Sequence, residues 1–211
     1  MPAKTAPKIR NPKTDHLITP ENSVLIIIDY QPKQIESINS MPRAEMLKNI
    51  AVVAAASRVY KIPVILSTVN VRGDPASDTV PIIKNSLPRN IKTIDRTFIN
   101  SWEDENFRAA VKKTGRLKLI MCALWTEACL SFPTLDALSD GYEVYPVVDA
   151  VGGTSWAAHT AALIRMERAG AQPTTTAQLL CELQRDWART ATVPDFTKLL
   201  TAADVFLNTG K

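Results

Sequence analysis

The sequence predicts a single doubly wound α/β domain, in which a parallel sheet of about six strands is covered by helices on both faces. Two observations support this prediction. From residue 23 onward, short apolar runs alternate with stretches of helical periodicity, and runs that are apolar on both faces are typical of parallel strands buried between helices. In addition, Gly115, Gly141 and Gly170 each follow a helical stretch and precede a strand, where a left-handed helix C-terminus favours glycine.

The predicted elements follow in chain order. Residues 1–18 contain three prolines and few apolar side chains, so we interpret them as an extended arm that either packs on a neighbouring subunit or stays floppy. The domain itself is assigned to residues 19–211. Its predicted strands are 24–28, 64–69, 91–94, 117–125, 144–148 and, weakly, 172–176, and its clearest helices are 44–60, 103–113 and 156–168.

Composition excludes several classes of protein. The 211 residues are 45% hydrophobic and 22% charged, as in an ordinary globular chain with one core. The formal net charge is +4, but four basic residues and one aspartate in the arm account for most of it, so we predict no nucleic-acid partner. The apolar runs are far shorter than the roughly 18 residues that a membrane helix needs. With no signal-peptide pattern, we expect a cytoplasmic protein without a membrane partner.

Three cysteines need separate explanations, because their number and spacing match neither a disulfide framework nor a zinc site. Cys122 in mid-strand and Cys181 on an apolar helix face are predicted to be small buried hydrophobic residues. Cys129 follows the fourth strand and is expected near the start of the next helix. The backbone N–H groups there favour a thiolate and can bind an oxyanion. A thiol pKa well below the free value would therefore indicate an enzyme.

Two further strand ends carry side chains suited to assist a thiol. Asp29 follows the first strand and Arg96 follows the third, and in doubly wound folds the ligand binds beyond the carboxyl ends of the strands. Taken singly, Asp29 could cap a loop and Arg96 could form a surface ion pair. Together with Cys129, they would supply a base, a cation and a nucleophile at one edge of the sheet.

The segment from about 23 to 187 resembles the isochorismatase-like cysteine hydrolases, which include nicotinamidases and the carbamoylsarcosine and ureidoacrylate amidohydrolases. The resemblance rests on the strand ending in Asp29 with Gln31 two residues later, and on four segments that occur in the same order. These segments are RTFINSWEDENF, LWTEACLSFPTLDAL, VVDAVGG and ELQRDW.

The resemblance implies a catalytic triad of Asp29, a cationic residue and Cys129. In the family mechanism, the aspartate takes the thiol proton, the thiolate attacks a carbonyl carbon, an amine leaves and water hydrolyses the thioester. It also implies a cis peptide between Leu124 and Trp125, with the backbone N–H groups of Trp125 and Cys129 binding the oxyanion. We therefore expect a hydrolase of small amide-like C–N bonds.

The cation departs from the family pattern. The family places a lysine at the end of the third strand, whereas the matching residue here is Arg96. Arginine can hold the aspartate and neutralise charge, but it cannot donate a proton at neutral pH, so Asp29 would have to protonate the leaving group. Lys84 and Lys92 are the alternative cations.

No metal or cofactor is predicted. The nicotinamidase metal site uses paired histidines after the second strand, and the STVNVRGDPASDTV segment here contains none. Of the two histidines in the chain, His159 is expected on a helix face rather than as a base. The chain also lacks a phosphate-binding loop and the GxGxxG pattern of nucleotide sites.

Five residues are predicted to bind a small-molecule substrate: Gln31, Asn70, Asn100, Trp102 and Trp125. The two tryptophans could equally pack in the core or at a subunit interface. Glu127 either orients the thiol-bearing turn or is purely structural.

Two alternative functions remain open: an isochorismatase-type hydrolase of a vinyl ether, whose known members lack the thiol, and a non-catalytic binding or assembly protein. The resemblance also implies a homo-oligomer, such as a ring or an octamer.

Overall fold

The strand β1, Ser23–Ile28, lies at the centre of the sheet, and all six of its apolar or small side chains are buried. In the computed structural model, which describes residues 11–205, β1 pairs in parallel with both β2, Val64–Val69, and β4, Lys118–Ala123. The strands β3, Thr93–Arg96, and β5, Glu143–Pro146, complete the sheet, in the order β3-β2-β1-β4-β5. The predicted α/β architecture with a parallel sheet is confirmed, with five strands.

Most predicted strand bounds differ from the structure by one or two residues, and the third and sixth predictions differ for identifiable reasons. The sixth predicted strand, 172–176, is reduced to a single bridge between Thr174 and Val147. Pro173 has no N–H to donate to a neighbouring strand, and a helix, Thr176–Gln184, begins directly afterwards. The third strand begins two residues later than predicted. Its side chains are mostly half-buried or exposed, so the apolar run in the sequence does not mark where the strand begins. As a result, Arg96 is the last residue of β3.

Helices cover both faces of the sheet. The helices are α1 Pro32–Glu36, α2 Arg43–Val59, α3 Pro81–Lys84, α4 Glu105–Lys113, α5 Ser131–Ser139, α6 Trp156–Arg168, α7 Thr176–Gln184 and α8 Val193–Ala202. The helix α2 packs with α7 and α8, whereas α4 packs against β2, and α5 packs against β5 and α6. The three glycines predicted to end helices have φ angles of +65° at Gly115, +87° at Gly141 and +108° at Gly170, so that prediction is confirmed.

The second half of the predicted arm packs on its own chain. Ile18 is fully buried, and its N–H donates to Glu182 on α7 at 2.7 Å. Arg185 donates to Asp15 at 3.2 Å and to the Ile18 carbonyl at 3.2 Å. Residues 11–18 are thus anchored to α7, and residues 1–10 lie outside the described part of the chain. Among the described helices, none has the length and apolar character to cross a membrane.

Candidate active site

The candidate site lies at the point in the sheet where successive strands are added on opposite sides of β1. The chain runs outward from β1 through β2 to β3, then returns to the other side of β1 with β4. In doubly wound folds this switch point leaves a crevice at the carboxyl edge, where ligands bind. Asp29 follows β1 directly, and Cys129 lies in the turn after β4. Adjacent strands therefore bring the carboxylate and the thiol together.

Asp29 occupies an unusual backbone conformation. Its φ is +62°, a region that non-glycine residues rarely adopt, although Asp and Asn tolerate it better than most. Its N–H donates to the Ser67 carbonyl at 3.0 Å, and its own carbonyl accepts from Gln31 at 2.7 Å. The side chain is fully buried. Desolvation raises the pKa of Asp29, while hydrogen bonding and charge attraction from Arg96 oppose this rise.

Arg96 reaches Asp29 from two strands away. Since neighbouring strands lie about 4.8 Å apart, only a long side chain can extend from β3 past the end of β2. The guanidinium donates two parallel bonds, from Nη1 to Oδ1 and from Nη2 to Oδ2, both 2.8 Å long. Nη2 also donates to the Ile99 carbonyl at 3.2 Å. Both partners are fully buried, so this is a bidentate ion pair shielded from solvent.

The two alternative cations lie elsewhere. Lys84 forms an ion pair with Asp78, and Lys92 is exposed. The interpretation of Arg96 as a surface ion pair is also wrong, because its side chain has no exposed area. Of these three basic residues, the structure pairs Arg96 with Asp29.

Cys129 lies in a single π-helical turn, Thr126–Leu130, which leads directly into α5; we call it the thiol turn. The predicted position after β4 is therefore confirmed. The peptide between Leu124 and Trp125 is cis, as the resemblance implied. The Asp29 carboxylate and the Trp125 N–H both lie close enough to the Cys129 thiol to act on its pKa, the carboxylate raising it and the N–H lowering it. The thiol therefore lies beside the carboxylate at the end of β1 and beside the backbone at the start of its own turn.

The environment keeps the thiol protonated, contrary to the expectation of a stabilised thiolate. Burial, and after it the charge and proximity of Asp29, together raise the pKa of Cys129 to about 12, although Arg96 and the Trp125 N–H act to lower it. The backbone N–H groups of the turn favour the thiolate, but the burial of the sulfur outweighs them. The raised pKa is the direction expected of an inert thiol, so a hydrolase that uses Cys129 would need a base to take the thiol proton during attack.

The other two thiols have different environments. Cys122 is fully buried in β4, as predicted, and burial raises its pKa well above the usual value. Cys181 is exposed on α7, so the prediction that it is a buried core residue is wrong. Any experiment on Cys129 reactivity must therefore account for the Cys181 thiol.

The amide group of Gln31 binds backbone atoms. Its Nε2 donates to the carbonyls of Val69 at 3.0 Å and Ser77 at 2.7 Å, and its Oε1 accepts from the Val69 N–H at 2.8 Å. These bonds tie the chain after β1 to the end of β2. Asn70, in contrast, is exposed with a φ of +57°, and its N–H donates to the Arg96 carbonyl at 2.7 Å.

The side chains of Asn100 and Trp102 also hydrogen-bond other residues of the chain. Asn100 donates to Asp136 on α5 at 2.7 Å and accepts from the Trp102 N–H at 3.1 Å. The Trp102 indole donates to Asp140 at 2.9 Å and packs edge-on against Phe107 and Tyr142. Trp125 is half-buried, and its indole N–H donates to the Ser37 hydroxyl at 2.6 Å. Of the five predicted pocket residues, Trp125 is the one whose backbone touches the thiol.

Several contacts at the site could not be foreseen from the sequence. The Ser37 hydroxyl and Thr154 each bind a residue of the motif segments, yet they lie in loops with no distinctive pattern. His159 lies on α6, as predicted, with its Nδ1 2.8 Å from the Thr126 hydroxyl, and burial lowers its pKa. Within residues 11–205, no group of three or more His, Cys, Asp or Glu side chains is arranged to hold a metal ion.

A cavity of about 710 Å³ lies beside α2, α7 and α8. Most of the charged side chains that line it already have partners: Lys48 pairs with Asp204, and the Asp149 carboxylate accepts from the N–H and hydroxyl of Thr176. Asp29, Arg96 and Cys129 do not line it. The cavity is therefore separate from the three residues gathered at the carboxyl edge of the sheet.

Comparison with known proteins gives the family. The isochorismatase domain profile matches residues 23–178. The "Probable hydrolase YcaC" of Escherichia coli K12 is 30% identical over 209 residues, covering 95% of this chain and 97% of the relative. The structure of that gene product, described as an octameric hydrolase of unknown specificity, has a TM-score of 0.78 at 29% identity, covering 91% of this chain and 98% of that chain.

Two further solved structures are similar. YcaC from Pseudomonas aeruginosa, solved with hexane-2,5-diol and covalent acrylamide, is 31% identical with a TM-score of 0.78, covering 90% of this chain and 98% of that chain. The MAR1 ribonuclease of Caenorhabditis elegans is 26% identical with a TM-score of 0.77, covering 92% and 95%. The profile match, the nearly full-length YcaC relatives and the shared fold agree: the chain belongs to the isochorismatase family of hydrolases.

Proposed function

We propose that the chain is a metal-independent cysteine hydrolase that cleaves a small amide-like C–N bond through a thioester on Cys129. One observation carries the proposal: the Cys129 thiol, in the turn after β4, lies close enough to the carboxylate of the buried Asp29–Arg96 ion pair and to the Trp125 N–H for both to act on its pKa. A nucleophile, a base and an oxyanion donor then meet at the crevice where this fold binds ligands.

The reaction follows from these positions. Asp29 takes the thiol proton as the sulfur attacks the carbonyl carbon, so that no free thiolate has to form beforehand. The negative charge that develops on the carbonyl oxygen is bound by the N–H groups of Trp125 and Cys129. Asp29 then passes the proton to the leaving nitrogen, and ammonia or an amine departs. Asp29 takes a proton from the water that adds to the thioester and passes it to the sulfur as the C–S bond breaks, and a carboxylic acid leaves.

Arg96 has an electrostatic and orienting role in this scheme. Its guanidinium cannot release a proton at neutral pH, so it takes no part in proton transfer. It holds both carboxylate oxygens of Asp29 and favours the ionised form that the base requires. Gln31, Asn100 and Trp102 position loops around the site, whereas Trp125 and the exposed Asn70 are the proposed substrate contacts.

The proposal is tested by screening small primary amides, ureides and hydrazides for release of ammonia or amine. We expect turnover by the wild-type chain and by a Cys181→Ser control, and a loss of at least about 10⁴-fold in Cys129→Ala. Turnover of a vinyl ether that survives in Cys129→Ala would favour the isochorismatase-type alternative. Because one similar structure is named a ribonuclease, single-stranded RNA is included; RNA cleavage without amide cleavage would overturn the proposal, as would an inert wild-type chain.

We also propose that the chain assembles into a homo-oligomer, supported by the octameric YcaC relative. Several large apolar side chains are exposed on the described surface, among them Phe98, Trp156 and Trp187, which are 45%, 70% and 64% exposed. Exposed apolar area of this kind is typical of contact surfaces. Light scattering is expected to give a mass several times that of the 23.2 kDa chain; a monomeric mass at micromolar concentration would contradict this prediction.

A further inference from the structure

Glu127 lies two residues before the Cys129 thiol, and its carboxylate binds a different loop. Its Oε1 accepts from the Thr154 N–H at 2.9 Å and from the Thr154 hydroxyl at 2.6 Å. Thr154 belongs to the loop between β5 and α6, residues 147–155, which we call the β5–α6 loop. A single carboxylate oxygen therefore joins the thiol turn to a neighbouring strand connection.

The residue before Glu127 is anchored to the same region. The Thr126 N–H donates to the Gly152 carbonyl at 2.9 Å, and its hydroxyl lies 2.8 Å from His159 Nδ1. Two consecutive residues of the thiol turn thus bind the β5–α6 loop and the helix that follows it. These contacts lie between Trp125 and Cys129 in the chain, so they anchor the part of the thiol turn that connects the Trp125 N–H to the sulfur.

The β5–α6 loop is itself held from its other side. The Gly153 N–H donates to the Ser40 hydroxyl at 2.9 Å, and the Gly153 carbonyl accepts from Asn39 and Ser40 at 3.1 and 3.3 Å. The segment 37–40 also holds the Trp125 indole through Ser37. The thiol turn is therefore attached to a braced support and not to a free loop.

The second oxygen of the carboxylate has a different environment. Glu127 Oε2 is buried and has no hydrogen-bond partner within residues 11–205. A Cβ on Gly153 would lie 2.6 Å from it, so the carboxylate occupies the space that this glycine leaves. Since Oε1 makes both bonds to Thr154, the contact needs an acceptor oxygen at that point but not a second oxygen.

We infer that Glu127 is a positioning residue, which acts by holding the thiol turn so that the Cys129 sulfur and the Trp125 N–H are aligned for attack. The inference rests on the proposed cysteine-hydrolase function. Alignment matters in the transition state, where a displacement of about 1 Å can cost about 10²-fold in rate. It matters less for substrate binding, which other side chains provide.

The test compares Glu127→Ala with Glu127→Gln, which keeps an acceptor oxygen for Thr154. We expect Glu127→Ala to lower kcat by about 10²-fold with KM little changed, and Glu127→Gln to retain most of the wild-type kcat. Thr154→Val, which removes one of the two donors, should lower kcat by less. An unchanged kcat in Glu127→Ala, a loss in KM alone, or a Gln variant as damaged as the Ala variant would overturn the inference.

A second readout needs no substrate. In a Cys181→Ser background, the rate of Cys129 alkylation by acrylamide is followed by peptide mass spectrometry across a pH series. We expect faster alkylation in Glu127→Ala than in Glu127→Gln at each pH, because a released turn exposes the thiol, while circular dichroism stays native. Equal alkylation rates would contradict the positioning role. An inert wild-type chain in the amide screen would instead refute the proposed function alone.

Discussion

Asp29→Asn is expected to abolish turnover while making the Cys129 thiol more reactive toward alkylating agents. The asparagine cannot accept the thiol proton, so the base is lost, and general base catalysis typically contributes about 10²–10⁴-fold. The Asp29 charge and hydrogen bond also hold the pKa of Cys129 up, and Arg96 remains beside the sulfur to lower it. In the variant, the thiol pKa therefore falls and a larger fraction is thiolate at neutral pH.

Two measurements check this prediction: ammonia release, and the pH dependence of Cys129 alkylation in a Cys181→Ser background. The matched control is Asp95→Asn, which removes a carboxylate whose charge also acts on Asp29 but which binds the Val71 and Arg72 N–H groups instead of the thiol. The control should keep turnover and the wild-type alkylation profile. Slower alkylation in Asp29→Asn would show that the carboxylate does not face the sulfur.

The same substitution has a stability cost, because it leaves the Arg96 charge buried without its partner. Breaking a buried ion pair from one side typically costs about 3–5 kcal/mol of unfolding free energy. We expect a clear decrease in the urea midpoint of Asp29→Asn, so the kinetic assays are made at a temperature where circular dichroism shows the variant folded.

Arg96 should be replaceable by lysine but not by leucine. In Arg96→Leu, Asp29 is buried with no cation, its pKa rises further, and it is protonated at neutral pH, so we expect a loss of about 10²–10⁴-fold in turnover and about 3–5 kcal/mol in unfolding free energy. Arg96→Lys keeps the charge but replaces two 2.8 Å bonds with one, and it removes the guanidinium Nε, which has no partner within residues 11–205. We expect it to retain turnover at a reduced rate.

The double variant Asp29→Asn with Arg96→Leu removes both charges of the ion pair, and asparagine, unlike leucine, tolerates the positive φ of residue 29. Because each single variant leaves one group of the pair buried without its partner, the double variant should recover part of the stability lost in Arg96→Leu without recovering activity. The measurements are urea unfolding and ammonia release for all four chains. Wild-type turnover in Arg96→Leu, or a double variant less stable than either single one, would contradict the assigned role of the ion pair.

The sequence predicted the part of the site that follows from topology. Asp29 and Cys129 follow two strands that are neighbours in a doubly wound sheet, so their proximity could be expected from the order of the elements. Arg96 could be placed at the same edge because parallel strands end together. Its bidentate bond to Asp29 depends on the length of one side chain, and the structure was needed to show it.

The rest could not be predicted, because it depends on contacts between distant segments. The amides of Gln31 and Asn100 bind Val69, Ser77 and Asp136, and nothing in the local sequence of either residue indicates this. The direction of the thiol pKa depends on burial, which residue order does not reveal. Cys181 shows the same limit, since its apolar neighbours in sequence did not make it buried.

The most direct test of the account is to look for the thioester. Once the screen identifies a substrate, the reaction is quenched in acid within the first turnovers, and the Cys129 and Cys181 peptides are examined by mass spectrometry. We expect an adduct on the Cys129 peptide whose mass equals that of the substrate minus the departed amine, sensitive to hydroxylamine and lost in Cys129→Ala. Turnover of the same substrate by Cys129→Ala at the wild-type rate, with no adduct in either chain, would contradict the account.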